Sequence, residues 1–260
     1  MFIDSHCHLD KIDLAPYQHD FAQFMTAAAQ QQIEHMLCIG IDLDAYPAMV
    51  ELVKPYAQIS LSVGVHPNVT DSPEPEVDQL LALASDDKVI AIGETGLDYF
   101  HGSGDLEWQK QRFRNHIQVA KTLNKPLIIH TREAGQEALD ILEAEGADQV
   151  GGIIHCFTED WAYAERALAL NFYISFSGIV TFKNATAIQE VARRIPADRY
   201  LIETDSPYLA PVPYRGKPNY PLYVRYVAEM IAGLRHCRTE QVASESCDNF
   251  RRLFRLQPSS

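Results

Sequence analysis

What most constrains this chain is a regular alternation. Short apolar runs recur at Phe2–Ile3, Met36–Ile39, Ile59–Val63, Val89–Ile92, Leu127–Ile129, Gly152–Ile154, Phe172–Ser175 and Tyr200–Ile202. Longer segments between them carry apolar residues at three- and four-residue spacings: Phe21–Gln32, Glu107–Thr122, Ala134–Glu145, Asp160–Leu170 and Ala185–Arg194. A short apolar run reads as a buried strand, and the three-and-four spacing as an amphipathic helix. Eight strands in 260 residues give roughly 32 residues per unit, the size of a βα repeat. The pattern predicts an α/β chain folded as a (β/α)8 TIM barrel, one domain over 1–260, with two further C-terminal helices at Tyr223–Leu234 and Thr239–Leu253. An open doubly wound sheet is the rival. Its GxGxxG turn is absent, and the first strand ends instead in His6-Cys7-His8.

Composition narrows the function classes. With 35 Asp and Glu against 22 Lys and Arg, the net charge of −13 disfavours a nucleic-acid reader that works through a basic face. No apolar stretch approaches the 18 or so residues of a membrane helix, so no membrane partner is expected. The opening MFIDSHCHLD has neither a basic nor an apolar leader region, which predicts a cytoplasmic protein. The cysteines at 7, 38, 156, 237 and 247 form no CxxC pair and read as reduced thiols.

Residues able to ligate metal gather where the apolar runs end. His6 and His8 follow the first run, Glu94 the fourth, His130 the fifth, His155 the sixth and Asp205 the eighth. The intervals correspond to about three, one, one and two βα units. Strand ends at one face of such a barrel meet where active sites lie. His6 and His8, two apart on an extended segment, project to one side and can grip an ion, while Cys7 points away. A lone HxH is as readily structural as ligating, and a lone strand-end histidine is more often structural. Six such residues at five strand ends argue for metal, because ionisable groups buried together need a partner. Glu94 lies in GETGLDY, with glycines that let the backbone approach a ligand closely. Asp98 and Glu203 read as carboxylates behind the ligands, and Asp205 as one that can hold metal and take a proton.

The motifs DSHCHLD (4–10), GVHP (64–67), GETGLDY (93–99), PLIIHTR (126–132), HCF (155–157), YISFSG (173–178), ETDSPYLAP (203–211) and RGKPN (215–219) together resemble the TatD family of metal-dependent deoxyribonucleases, within the amidohydrolase-like TIM-barrel enzymes. The resemblance implies two divalent ions: one held by His6, His8, Glu94 and Asp205, the other by Glu94, His130 and His155. An imidazole-rich, thiolate-free set suits zinc, manganese, iron or nickel, and the resemblance implies magnesium or manganese. It also implies a 3′-to-5′ exonuclease on single-stranded DNA or RNA, in which a metal-activated hydroxide attacks the phosphodiester while Asp205 manages the proton.

Arg132, two residues past His130, suits a phosphate oxygen, as do Arg215 and Lys217 in the loop after the last strand, although a loop cation is ordinarily plain solvated surface. His66 reads equally as a substrate contact and as part of a loop turn. Phe172, Tyr173 and Phe176 read as packing rather than a base-stacking platform. Two alternatives remain: the same barrel acting on a small ester, amide or aminoacyl-tRNA ester, and a metal-stabilised binding protein without turnover. No obligate protein partner is evident.

Overall fold

In a computed structural model that describes residues 1–257, all eight expected strands are present. They are β1 (Phe2–Cys7), β2 (Ile33–Cys38), β3 (Ile59–Val63), β4 (Val89–Asp98), β5 (Leu127–Arg132), β6 (Gly152–Ile154), β7 (Phe172–Phe176) and β8 (Tyr200–Ile202). The helices are α1 (Phe21–Gln30), α2 (Tyr46–Val53), α3 (Val77–Ala84), α4 (Glu107–Leu123), α5 (Gly135–Ala144), α6 (Trp161–Ala169), α7 (Thr186–Arg194), α8 (Val224–Arg235) and α9 (Thr239–Phe254). Helices α2 and α3 had not been expected: each is eight residues long, little more than two turns, and shorter than the window of about 11 residues in which helical spacing is read. The strands follow one another around the sheet in chain order, β1 to β8, the ordering of a (β/α)8 barrel. Among the described residues no helix is long and apolar enough to cross a membrane.

The contacts divide the chain into two compact units. One comprises Met1–Cys38, Cys156–Asp160 and the chain from Ser175 onward; the other comprises Ile39–His155 and Trp161–Ile174. The three final residues of the predicted 1–260 domain lie outside the described part.

In the first unit the first and last strands meet. Cys7 bridges Ser206 in parallel, and Ser5 donates to the Ile202 carbonyl at 3.0 Å. Helix α9 lies on β1 and β8, burying Val242, Cys247, Phe250 and Phe254. Two of its polar side chains finish the strand's hydrogen bonding. Ser246 Oγ accepts from Ile202 N at 3.2 Å, and Asn249 donates to the Ala197 and Tyr200 carbonyls at 2.9 Å each. The expected C-terminal helices are therefore part of what holds β8 in place.

In the second unit β3, β4 and β6 are buried along almost their whole length and β5 along its first half, as befits parallel strands covered on both faces. Phe172, Tyr173 and Ile174 of β7 are buried core, as packing rather than base stacking requires. Gly93 and Gly96 flank Glu94 for a reason different from the one expected. Both have φ near +140°, and a Cβ on Gly96 would sit 2.0 Å from the His130 carbonyl oxygen, one on Gly93 2.5 Å from that of Ile128. The close approach these glycines permit is to the backbone of β5.

Candidate functional site

The end of β1 and the turn after β8 build the first ligand group. The β ladder continues past the strands, His8 N donating to Ser206 O at 2.8 Å and Asp205 N to His6 O at 2.9 Å. Asp205 takes a left-handed backbone (φ 55°), which a short polar side chain tolerates. Its Oδ1 lies 3.6 Å from His6 Nε2 and 3.4 Å from His8 Nε2. Cys7 points the other way, its buried Sγ on the Leu37 carbonyl, as the period of two requires.

Beneath this group sits a carboxylate that the sequence reading passed over. Asp4 is fully buried, accepts from Thr204 N at 2.9 Å, from Thr204 Oγ1 and from His6 N, and so ties β1 to the turn that carries Asp205. Burial pushes its pKa well above the usual carboxylate range, although the Thr204 hydrogen bonds pull the other way. A signal was available: positions 4, 6 and 8 share one side of an extended strand. Asn219 holds the same turn, donating to the carbonyls of Thr204 (2.8 Å) and Tyr208 (2.6 Å). Glu203, also buried, accepts from Cys156 N at 2.7 Å.

The second group centres on Glu94. Its Oε1 lies 2.9 Å from His155 Nε2, 3.2 Å from His130 Nδ1 and 3.3 Å from His66 Nε2. His66, read from sequence as a substrate or turn residue, thus stands among the candidate ligands with Glu94 and His130. Burial alone would raise the Glu94 pKa, but the surrounding imidazoles hold it well below the ordinary range. Asp98 serves His130 from behind. Its Oδ2 is 3.1 Å from His130 Nε2, which leaves Nδ1 facing Glu94, and it also receives Asn68 Nδ2 and His101 Nδ1 at 2.8 Å each. Burial opposes ionisation of Asp98, yet the hydrogen bonds from His130, His101 and Asn68 prevail and keep it a carboxylate. A carboxylate behind an imidazole fixes its tautomer and raises its basicity as a ligand.

Helix α4 clamps the loop that bears His66. Arg112 Nη1 donates to the carbonyls of His66 and Val69 at 2.8 Å each while the rest of its guanidinium grips Glu74. Gln109 reaches Pro67 O at 3.3 Å. His116 Nε2 accepts from Val65 N at 3.0 Å, and its Nδ1 lies 2.8 Å from the Arg112 carbonyl, so the neutral Nδ1–H tautomer satisfies both bonds. Burial drives the His116 pKa down to about 4.

The three predicted phosphate contacts are solvent-facing and lean on aromatic rings. The Arg132 guanidinium carbon lies 4.2 Å from the centre of Phe100, that of Arg215 lies 4.2 Å from Phe182, and Lys217 Nζ lies 6.0 Å from Tyr214.

The donors fit a divalent metal. In the triads His6–His8–Asp205 and His66–Glu94–His130, the ligand atoms all lie within 4.8 Å of one another, and each set mixes imidazole nitrogen with carboxylate oxygen. Such ligand groups at the strand ends of a (β/α)8 fold define a metal-dependent hydrolase. The family model described as "TatD related DNase" matches residues 3–255, and the chain belongs to the TatD family. It is 45% identical to the Escherichia coli (strain K12) "Uncharacterized metal-dependent hydrolase YcfH", over 99% of this chain and 97% of that one. It is 42% identical to YabD of Bacillus subtilis (strain 168), similarly described, over 98% of this chain and all of that one. The crystal structure of YJJV, a TatD homolog from Escherichia coli K12, superposes with a TM-score of 0.89 at 26% identity, covering 98% of each chain.

Proposed function

We propose that this protein is a 3′-to-5′ exonuclease that hydrolyses phosphodiester bonds in single-stranded DNA, and that it works in the cytoplasm. The observation that carries the reading is the pairing of His130 with Arg132. Two residues apart on β5, they put a candidate metal ligand and a solvent-facing guanidinium on the same side of one strand. A small neutral ester would have no use for that guanidinium. The family description as a DNase supports the same substrate class.

Divalent ions on His6, His8 and Asp205, and on Glu94, His130 and His155, would supply Lewis acidity at the phosphoryl oxygens and activate water at neutral pH. The chain's own groups do the rest. Asp205, the most accessible member of its triad at 13% exposure, is placed to accept a proton on its carboxylate. Asp98 holds His130 in one tautomer, and Arg132, Arg215 and Lys217 meet the phosphates.

The test is a metal-stripped protein reloaded with zinc, manganese or magnesium in turn and offered labelled single-stranded DNA, RNA and simple phosphodiesters. Stepwise shortening from the 3′ end of DNA is the expected result. Turnover of a non-nucleotide ester alone would overturn the reading. Asp205→Asn is expected to lower kcat by 100-fold or more, on the order of a lost proton acceptor.

A further inference from the structure

Few large apolar side chains are left exposed among the described residues, and of these Phe100, at 53%, is the one in the second unit. It sits in the turn directly after β4, six residues beyond Glu94, in a stretch with little freedom. Tyr99 N donates to Arg132 O at 2.9 Å, and Asp98 accepts from His101 N at 2.9 Å. Two groups touch the Phe100 ring and leave it about half exposed: the Arg132 guanidinium carbon lies 4.2 Å from its centre, and the His101 ring meets it in a T-shaped contact at 4.8 Å and 86°. His101 in turn shares Asp98 with His130. An exposed aromatic ring is thus coupled through two hydrogen bonds to a candidate metal ligand and through a cation–π contact to the proposed phosphate contact.

We propose that Phe100 is a nucleobase-stacking residue, seating the base of the terminal nucleotide while Arg132 takes an adjoining phosphate. This inference rests on the nuclease reading and specifies how the strand end is held. A ligand that offers a π-face and an anion one short link apart is a nucleotide, and the Phe100–Arg132 pair presents the complement of both. Charge points the same way. A chain of net charge −13 cannot rely on tracking a phosphate backbone through a long basic groove, so stacking, which tolerates any base, supplies affinity at the strand end.

The test compares two fluorescent single strands, one ending in an ordinary 3′ nucleotide and one in an abasic 3′ unit. Binding to metal-stripped protein is read by anisotropy, and KM for terminal cleavage is read on metal-loaded protein. The wild type is expected to prefer the base-bearing end by about 10-fold in both readouts. Phe100→Ala should erase that preference, with the loss falling on KM, and Phe100→Trp should restore it. Because the ring is largely exposed, an unchanged melting temperature in Phe100→Ala serves as the folding control. If Phe100→Ala keeps the preference while still cutting both strands, the inference fails and the nuclease reading stands. If the wild type cuts neither strand but hydrolyses a non-nucleotide ester, both fail together.

Discussion

Asp98 touches three side chains and decides the state of one of them. With its carboxylate on His130 Nε2, the imidazole can offer only Nδ1 toward Glu94. Asp98→Asn keeps the shape and removes the charge, so the His130 tautomer loses its partner. Metal affinity of the variant, measured by competition with a chromophoric chelator, is expected to fall about 10- to 100-fold with the fold intact. Sequence made Asp98 legible only as a carboxylate near the ligands, because which ring nitrogen it would meet depends on where β5 lies beside β4. Asp4 shows the opposite case. Its place on the same side as His6 and His8 follows from strand period alone, but its partner Thr204, 200 positions away, does not.

At the scale of elements, β4 and β5 are pressed together where they carry Glu94 and His130. Gly96 makes that contact possible, with φ +137° and no side chain against the His130 carbonyl. Gly96→Ala is expected to destabilise the protein by about 3 kcal/mol or more, seen as a lower urea midpoint, since it adds a backbone clash to a left-handed conformation.

Helix α4 carries a second element-scale prediction. His116 accepts the Val65 amide hydrogen only while neutral, and its pKa is about 4 in the fold against 6.5 when solvated. Between those values the unfolded chain binds the extra proton. The stabilisation is therefore complete above about pH 6.5, shrinks as pH falls, and is fully lost below about pH 4, a change on the order of 3 kcal/mol. In His116→Gln, whose amide offers a donor and an acceptor but does not titrate, the pH dependence of the urea midpoint across that window should flatten. The helix itself was legible from its spacing. Its clamp was not, because Gln109, Arg112 and His116 read as interruptions of an apolar face until the loop they hold is beside them.

For the molecule as a whole, the decisive quantity is charge. A net −13 repels a polyanion everywhere except where cations stand out, and Arg132, Arg215 and Lys217 are the solvent-facing cations proposed to meet the substrate. Three phosphate contacts on a single strand release few counterions. The plot of log binding constant against log salt for a long single strand is therefore expected to be no steeper than about −2, and insensitive to strand length beyond the first few nucleotides. A steep, length-dependent slope would mean an extended basic track and would contradict the strand-end reading.

By itself the sequence determined what has a local period: a βα repeat near 32 residues, imidazoles two apart on one strand, and ligand-type residues at five strand ends. Those follow from the geometry of single elements and survive any detail of packing. The tertiary structure alone decided which groups meet across long stretches of chain. Asp4 meets Thr204, Asn219 holds the Thr204 and Tyr208 carbonyls, His116 holds Val65, Gly96 makes room for His130, and His66 joins Glu94. Hydrogen bonds and close contacts of this kind depend on the position of a partner element, and no spacing along one segment encodes that position.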